Sequence, residues 1–320
     1  MKQPKPLIAI TLGDPCGIGP EVTFRALRDK RVKAACRPLL IGSPGPGGHH
    51  ENADSLFFDL SDFAQKLGKD RQYRQGSPSK TGGLVSFLAV ELGLRLALNG
   101  PAKALVTAPV SKQSWQKAGI RFTGHTEFLE SACKTPRAAM CFSKGNIRCV
   151  TVTNHLPLKD ISAALSAELI SEKTLKFVHS LKHEGKTKPA IALCALNPHA
   201  GDAGKIGREE LDIIIPAVKI LRKAGVNAQG PYPADSLWER HARGEFDGIV
   251  CMYHDCALIP LKTLKGPAAV HYTAGLPVIR TSPAHGTAFD IAGQNRAAEE
   301  SMIEAILHAV RQIRPECRHD

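Results

Sequence analysis

Residues 10–21 read ITLGDPCGIGPE, directly after Leu7-Ile8-Ala9, and the parsing of this stretch decides the fold. An apolar run enters a glycine-rich turn, and Pro20 and Glu21 then open a helix. Proline suits the first helical turn and an acidic side chain its positive dipole end. The glycines at 13, 17 and 19 lack the G-x-G-x-x-G spacing of a dinucleotide fingerprint, so this is a strand–turn–helix unit without that phosphate loop. The same punctuation recurs down the chain. Apolar runs at 7–12, 103–108, 147–153, 190–196, 248–253 and 277–281 alternate with helical patterns, clearest at 84–98, 166–183, 208–224 and 297–313. This alternation predicts an α/β fold with mainly parallel sheets, and 320 residues predict two lobes. Residues 42–55, GSPGPGGHHENADS, read as the one obvious irregular loop.

Composition narrows the function. The chain is 43% hydrophobic, which excludes disordered and collagen-like classes, and carries a formal net charge of +12. Such a charge suits nucleic acid, a membrane surface or a small anion. The Lys and Arg residues are scattered without aromatic interleaving, and aromatics are only 5%, so a small anionic ligand is expected and nucleic acid is not. Nine cysteines without any C-x-x-C form neither a disulfide framework nor a zinc knuckle, which suits a reducing compartment. The first apolar stretch breaks at Gly13-Asp14-Pro15 with no cleavage-site pattern, and no run approaches 18 apolar residues. A cytoplasmic protein without a membrane segment is expected.

Chemistry-bearing residues gather in three groups. His155 follows the strand ending TVT, His199 follows CAL, and His254 follows CMY. Each lies beyond a strand's carboxyl end, where open α/β sheets place ligands, and three imidazoles there suit a divalent metal. A single one of these could equally be an ordinary loop histidine. The second group offers donors and cations for phosphate or carboxylate: TAPVSKQSW at 107–115, FTGHTEFL at 122–129, Asp235, Lys262 and Arg280. Solvated surface charge is the bland reading, weakened for Lys262 by its apolar flank. The third is SPAHGTAFDIAG at 282–293, whose small and hydrogen-bonding residues could seat a nucleotide or form a plain turn.

Taken in order, ITLGDPCGIGPE, GHTEFL, TNHLPL, NPHAGDAGKIGREE, GPYPADSLW, YHDCALIPLK and GLPVIRTSPAHGTAFDIAG resemble the PdxA family, the 4-hydroxythreonine-4-phosphate dehydrogenases of pyridoxal phosphate (vitamin B6) biosynthesis. The blocks span nearly the whole chain. The implied fold is that of isocitrate and isopropylmalate dehydrogenases, with the nucleotide on the HGTAFDIAG loop and the glycine turn at the cleft rim. The resemblance implies His155, His199 and His254 as metal ligands, with His254 supplied by the partner of a homodimer. It implies substrate contacts at His125, Thr126, Asp235, Lys262, His271 and Arg280, with Asp235, Lys262 and His125 as candidates for proton transfer. His285, Gly286, Thr287, Asp290 and Gly293 would hold NAD or NADP, and the metal would be zinc, cobalt or magnesium. The implied reaction is metal-dependent oxidation of 4-phosphohydroxy-L-threonine at C3, then decarboxylation to 3-amino-2-oxopropyl phosphate. A related phosphorylated acid such as threonate or erythronate phosphate is the alternative. One lobe is expected over 1–122 and 275–320 with the nucleotide loop, the other over 123–274 with metal, substrate and dimer contacts. Three positions depart from the family pattern: His271 stands where Asn is usual, Cys256 for Gln and Ala284 for Asp.

Overall fold

A computed structural model describes residues 4–46, 55–62, 66 and 73–313, so most of the 42–55 loop lies outside the described residues. The chain divides into two compact units, residues 1–136 with 276–313, and residues 137–275.

The first unit holds β1 (Leu7–Thr11), β2 (Arg37–Gly42), β3 (Leu56–Asp59), β4 (Ala104–Thr107) and β11 (Arg280–Pro283), in the order β3-β2-β1-β4-β11 and all parallel. Around them lie α1 (Gly19–Ala26), α2 (Lys30–Ala35), α3 (Lys80–Asn99), α4 (Lys112–Lys117), α5 (His125–Ala132) and α11 (Glu300–Ile313). β1 and β4 are buried almost throughout, as expected of parallel strands covered on both faces. β11 starts later than the 277–281 run suggests. Pro277 has no N–H to give, and the ladder to β4 begins at the Ile279 carbonyl, which accepts from Leu105 N at 2.9 Å. α3 begins where Ser79 accepts from Gly82 N at 2.8 Å. By length and composition it could cross a membrane, yet half of that stretch is buried, with Val85, Ala89, Val90 and Leu94 in the unit's core. α5 belongs to the same core through Phe128 and Leu129.

The second unit orders its strands β10-β5-β6-β9-β7-β8, with β5 (Ala139–Lys144), β6 (Ile147–Thr151), β7 (Ala190–Cys194), β8 (Asn227–Tyr232), β9 (Gly248–Cys251) and β10 (Val270–Ala274). The β10–β5 and β5–β6 pairs are antiparallel, and β6, β9, β7 and β8 are parallel. Its helices are α6 (Ile161–Ala164), α7 (Ala167–His183), α8 (Ile215–Lys223), α9 (Ala234–Ala242) and α10 (His254–Thr263). The helix expected over 208–224 is a π-wound turn at Glu210–Ile214 followed by α8. Pro216 lacks the N–H that an α-turn would need there, and the wider turn absorbs the defect. Apolar cores flank the sheet, one built on Phe177, Leu181 and Ile191, the other on Trp238, Phe246 and Ile249. Arg148 of β6 and Glu184 at the end of α7 pair at 2.7 Å with side chains only 11% and 7% exposed, tying sheet to helix.

Candidate active site

The opening turn is held by its own unit. Gly13 has φ +73, and a Cβ there would overlap the Pro109 carbonyl oxygen, while a Cβ on Gly17 would meet Thr287 O at 2.8 Å. Glycine is therefore required by close backbone approach. Ile18 N donates to Thr287 O at 3.0 Å and Gly293 N donates to Glu21 Oε2 at 3.0 Å. Thus Glu21, read in the sequence as a dipole partner, instead clasps the 282–293 loop.

Asp14 lies fully buried in this turn, with Oδ1 accepting from Cys16 N at 3.0 Å. Burial pushes its carboxyl above the ordinary value of 3.8, opposed by weaker hydrogen-bond effects from Ser114 and Cys16. The fold thus favours the protonated form. Its contribution to stability is full below 3.8 and is lost as pH rises through the elevated folded value. Asp14→Asn should flatten that part of the profile, gaining on the wild type as pH goes from acid to neutral. Paired melting curves across pH test this, and an unchanged difference between the two proteins contradicts it.

The three histidines occupy matching places in the second unit. β6, β9 and β7 are adjacent and parallel, and His155, His254 and His199 follow their respective carboxyl ends. Thr153 Oγ1 donates to Met252 O at 2.8 Å, fastening the two strand exits that carry His155 and His254. Those two rings lie 5.7 Å apart between centroids. His254 Nδ1 contacts Asp255 Oδ1 at 2.7 Å, an arrangement that holds the proton on Nδ1 and leaves Nε2 for a metal. His155 and His199 are exposed and His254 is half-buried. Within one chain the three imidazoles do not close on a point. Among the described residues the one trio of potential ligand atoms within 4.8 Å of one another is Cys194, Cys251 and Cys256.

His199 sits in an unusual loop. From His199 to Ala203 every φ is positive, between 42° and 77°, so the segment winds left-handed although only Gly201 of the five lacks a side chain. The buried Glu210 holds it. Its Oε1 accepts from Leu196 N and Asn197 N, both at 2.8 Å, and its Oε2 accepts from Asn197 Nδ2 at 2.9 Å. Sequence reading missed Glu210; the signal was a carboxylate in GREE just after a glycine-rich loop. Glu210→Ala should orphan two amides, destabilise the protein by about 1–3 kcal/mol and weaken metal binding about 10- to 100-fold. Chemical denaturation and zinc titration would measure both, and unchanged zinc affinity would remove Glu210 from the site.

The anion-binding candidates are divided between the units. In the first, Arg280 on β11 is 2% exposed and donates from Nη2 to Thr107 Oγ1 at 2.7 Å. Burial alone lowers its guanidinium to about 9. His125 and Thr126 open α5, where Gly124 provides no side-chain cap, and the His125 ring lies edge-on to Trp115 at 6.0 Å. In the second unit, Asp235 lies exposed in the first turn of α9. Lys262 is exposed as well: the buried side of α10 runs through Cys256, Ala257, Leu258 and Leu261, whereas Ile259, one of the apolar residues that flank Lys262 in the sequence, is itself 62% exposed. His271 of β10 pairs across the ladder with Phe142, ring centroids 5.2 Å apart.

The expected nucleotide loop follows β11. His285 directs Nδ1 to Gly286 O at 3.0 Å, Gln294 Nε2 donates to Asp290 O at 2.8 Å, and Gly293 adopts φ +77. Ala284 N donates to Ser301 Oγ at 3.2 Å, so the residue that departs from the usual Asp anchors the loop through its backbone. Glu21 Oε1 and His285 Nε2 are buried and have no hydrogen-bond partner among the described residues. An open acceptor on α1 and an open imidazole nitrogen on the loop it clasps are groups that suit a hydroxyl-bearing ligand.

The fold is shared with the β-decarboxylating dehydrogenases: isocitrate dehydrogenase from Methylococcus capsulatus superposes with a TM-score of 0.50 at 12% identity, over 97% of this chain and 86% of that one. Sequence and structure then narrow the class. The family described as pyridoxal phosphate biosynthetic protein PdxA matches residues 35–309. The chain is 39% identical to a 4-hydroxythreonine-4-phosphate dehydrogenase from Erythrobacter litoralis over 97% of each chain. A 1.25 Å crystal structure of that enzyme from Klebsiella pneumoniae superposes with a TM-score of 0.83 at 32% identity, covering 97% of this chain and 98% of that chain. The chain belongs to the PdxA family.

Proposed function

We propose that this protein oxidises 4-phosphohydroxy-L-threonine at C3 and decarboxylates the product to 3-amino-2-oxopropyl phosphate, in pyridoxal phosphate biosynthesis. Family membership gives the reaction, and the observation that carries it to this chain is the placement of His155, His254 and His199 at the ends of three adjacent parallel strands. Imidazoles favour zinc or cobalt by ligand type, and magnesium also suits if substrate oxygens complete the shell. A bound metal supplies Lewis acidity toward the C3 oxygen, and NAD or NADP supplies the hydride acceptor. The chain's residues do the rest. Arg280, with His125 and Thr126, binds the anionic ends of the substrate. Asp235, Lys262 and His125 are the groups for removing the hydroxyl proton and returning one to carbon after carbon dioxide leaves. His285, Gly286, Thr287, Asp290 and Gly293 seat the nucleotide.

The active unit is a homodimer in which His254 completes the partner's site. Two observations support this reading: the histidines do not converge within one chain, and large apolar side chains stand exposed in the same segments. Leu156 is 46%, Leu158 73% and Ile259 62% exposed, flanking His155 and His254 in sequence. Apolar groups so placed suit a protein interface.

The test is nicotinamide reduction by purified protein with 4-phosphohydroxy-L-threonine, using NAD and NADP in turn, with and without a chelator. Activity lost to the chelator and restored by zinc or cobalt is expected. His271 in place of the usual Asn makes phosphorylated threonate the informative competitor, and faster turnover of that acid would overturn the substrate assignment.

A further inference from the structure

The three-cysteine cluster is separate in chemistry from the histidines. Leu193 pairs with Val250 across β7 and β9, which sets Cys194 opposite Cys251, and their sulfurs lie 3.7 Å apart. Cys256 enters from the first turn of α10, where Trp238 Nε1 donates to its carbonyl at 3.0 Å and fixes that turn. All three sulfurs lie within 4.8 Å of one another. With bonds of about 2.3 Å, thiolates sit about 3.8 Å apart on a tetrahedral ion and about 3.5 Å apart on a three-coordinate pyramidal centre, so the Cys194–Cys251 pair is already in range and the third sulfur closes in by at most about 1.3 Å.

Charge decides which centre. Cys194 and Cys251 are fully buried and Cys256 is 9% exposed, among Leu237, Trp238, Phe246, Ile249 and Leu261. Three thiolates on a divalent ion leave one net negative charge in this apolar pocket, which is costly. Three thiolates on a trivalent metalloid leave none.

We propose that Cys194, Cys251 and Cys256 form a trithiol site for a trivalent thiophilic metalloid of the arsenite type. Three S–H bonds and three As–O bonds break, three As–S bonds form, and three water molecules leave. No oxidation state changes. Cys256, the least buried of the three, takes the incoming metalloid first, and the two strand cysteines complete the capture. Because Cys256 stands two residues from His254 on α10, capture also draws on the turn that carries that histidine.

Native mass spectrometry of the full chain with sodium arsenite tests this without using enzyme activity. One arsenic gained and three hydrogens lost per chain is the expected mass change. Cys194→Ala, Cys251→Ala and Cys256→Ala should each hold arsenic at least about 100-fold more weakly against a competing monothiol, since one chelate arm is gone. Cys36→Ala, in the first unit, should match the wild type. Cys256→Ala, at the edge of the core, guards against misfolding of the strand variants, and melting curves identify any that fail to fold. An adduct that keeps an arsenic-bound hydroxyl, equal retention by wild type and Cys256→Ala, or capture of zinc with arsenite excluded would each overturn the proposal.

Discussion

His254→Ala should lower kcat/KM by more than about 100-fold, beyond the 10- to 100-fold cost of losing an outer partner of a metal ligand. The imidazole is oriented by Asp255 at 2.7 Å and lies at the end of the central strand of three. Asp255→Ala should therefore act in the same direction but less severely, chiefly through metal affinity. Mixing His155→Ala and His254→Ala subunits separates the two possible arrangements. If each site takes His254 from the other subunit, a mixed dimer has one intact site. Random pairing then restores about a quarter of wild-type activity, since half the dimers carry one good site of two. If each site is built within a chain, both sites of every dimer are damaged and nothing returns.

Arg280→Ala should cost about 2–5 kcal/mol of substrate binding, roughly 30-fold to several thousand-fold in kcat/KM, most of it in KM. The guanidinium is buried, which lowers its pKa to about 9, and an arriving phosphate or carboxylate offsets that desolvation cost by pairing with the charge. Arg280→Lys keeps a charge but not the planar fork, so it should recover only part of the loss. Steady-state kinetics at fixed cofactor, with melting curves for each variant, reads the result. A folded Arg280→Ala enzyme with an unchanged KM would make the residue a brace for Thr107 rather than a substrate anchor.

How far the sequence reaches depends on the range of the interaction concerned. The strand-end positions of the three histidines are legible because each follows an apolar run, and the run's end is a local signal. β11 was displaced because the eye extends an apolar stretch through Pro277, where the ladder cannot form. Lys262 eludes a reading by neighbours for a similar reason: Leu261 faces the core while Lys262, one position on along the helix, faces water. The cysteine trio was out of reach. Cys194 and Cys251 are 57 positions apart, and only the pairing of β7 with β9 makes them neighbours. Glu210 was missed because its partners are backbone amides, which leave no trace in residue types.

The left-handed winding from His199 to Ala203 has a consequence for the order in which the molecule assembles. Four of its five residues carry side chains, and each costs about 1–2 kcal/mol in that conformation. Such a segment has no local tendency to form early. Its closure depends on Glu210, whose carboxylate reaches back 14 and 13 positions to the Leu196 and Asn197 amides, and a loop stabilised only once those bonds exist is expected to close late in folding. Interactions made that late govern how fast a protein comes apart rather than how fast it folds. Loosening the loop should therefore shorten the lifetime of the folded chain while leaving its refolding rate untouched.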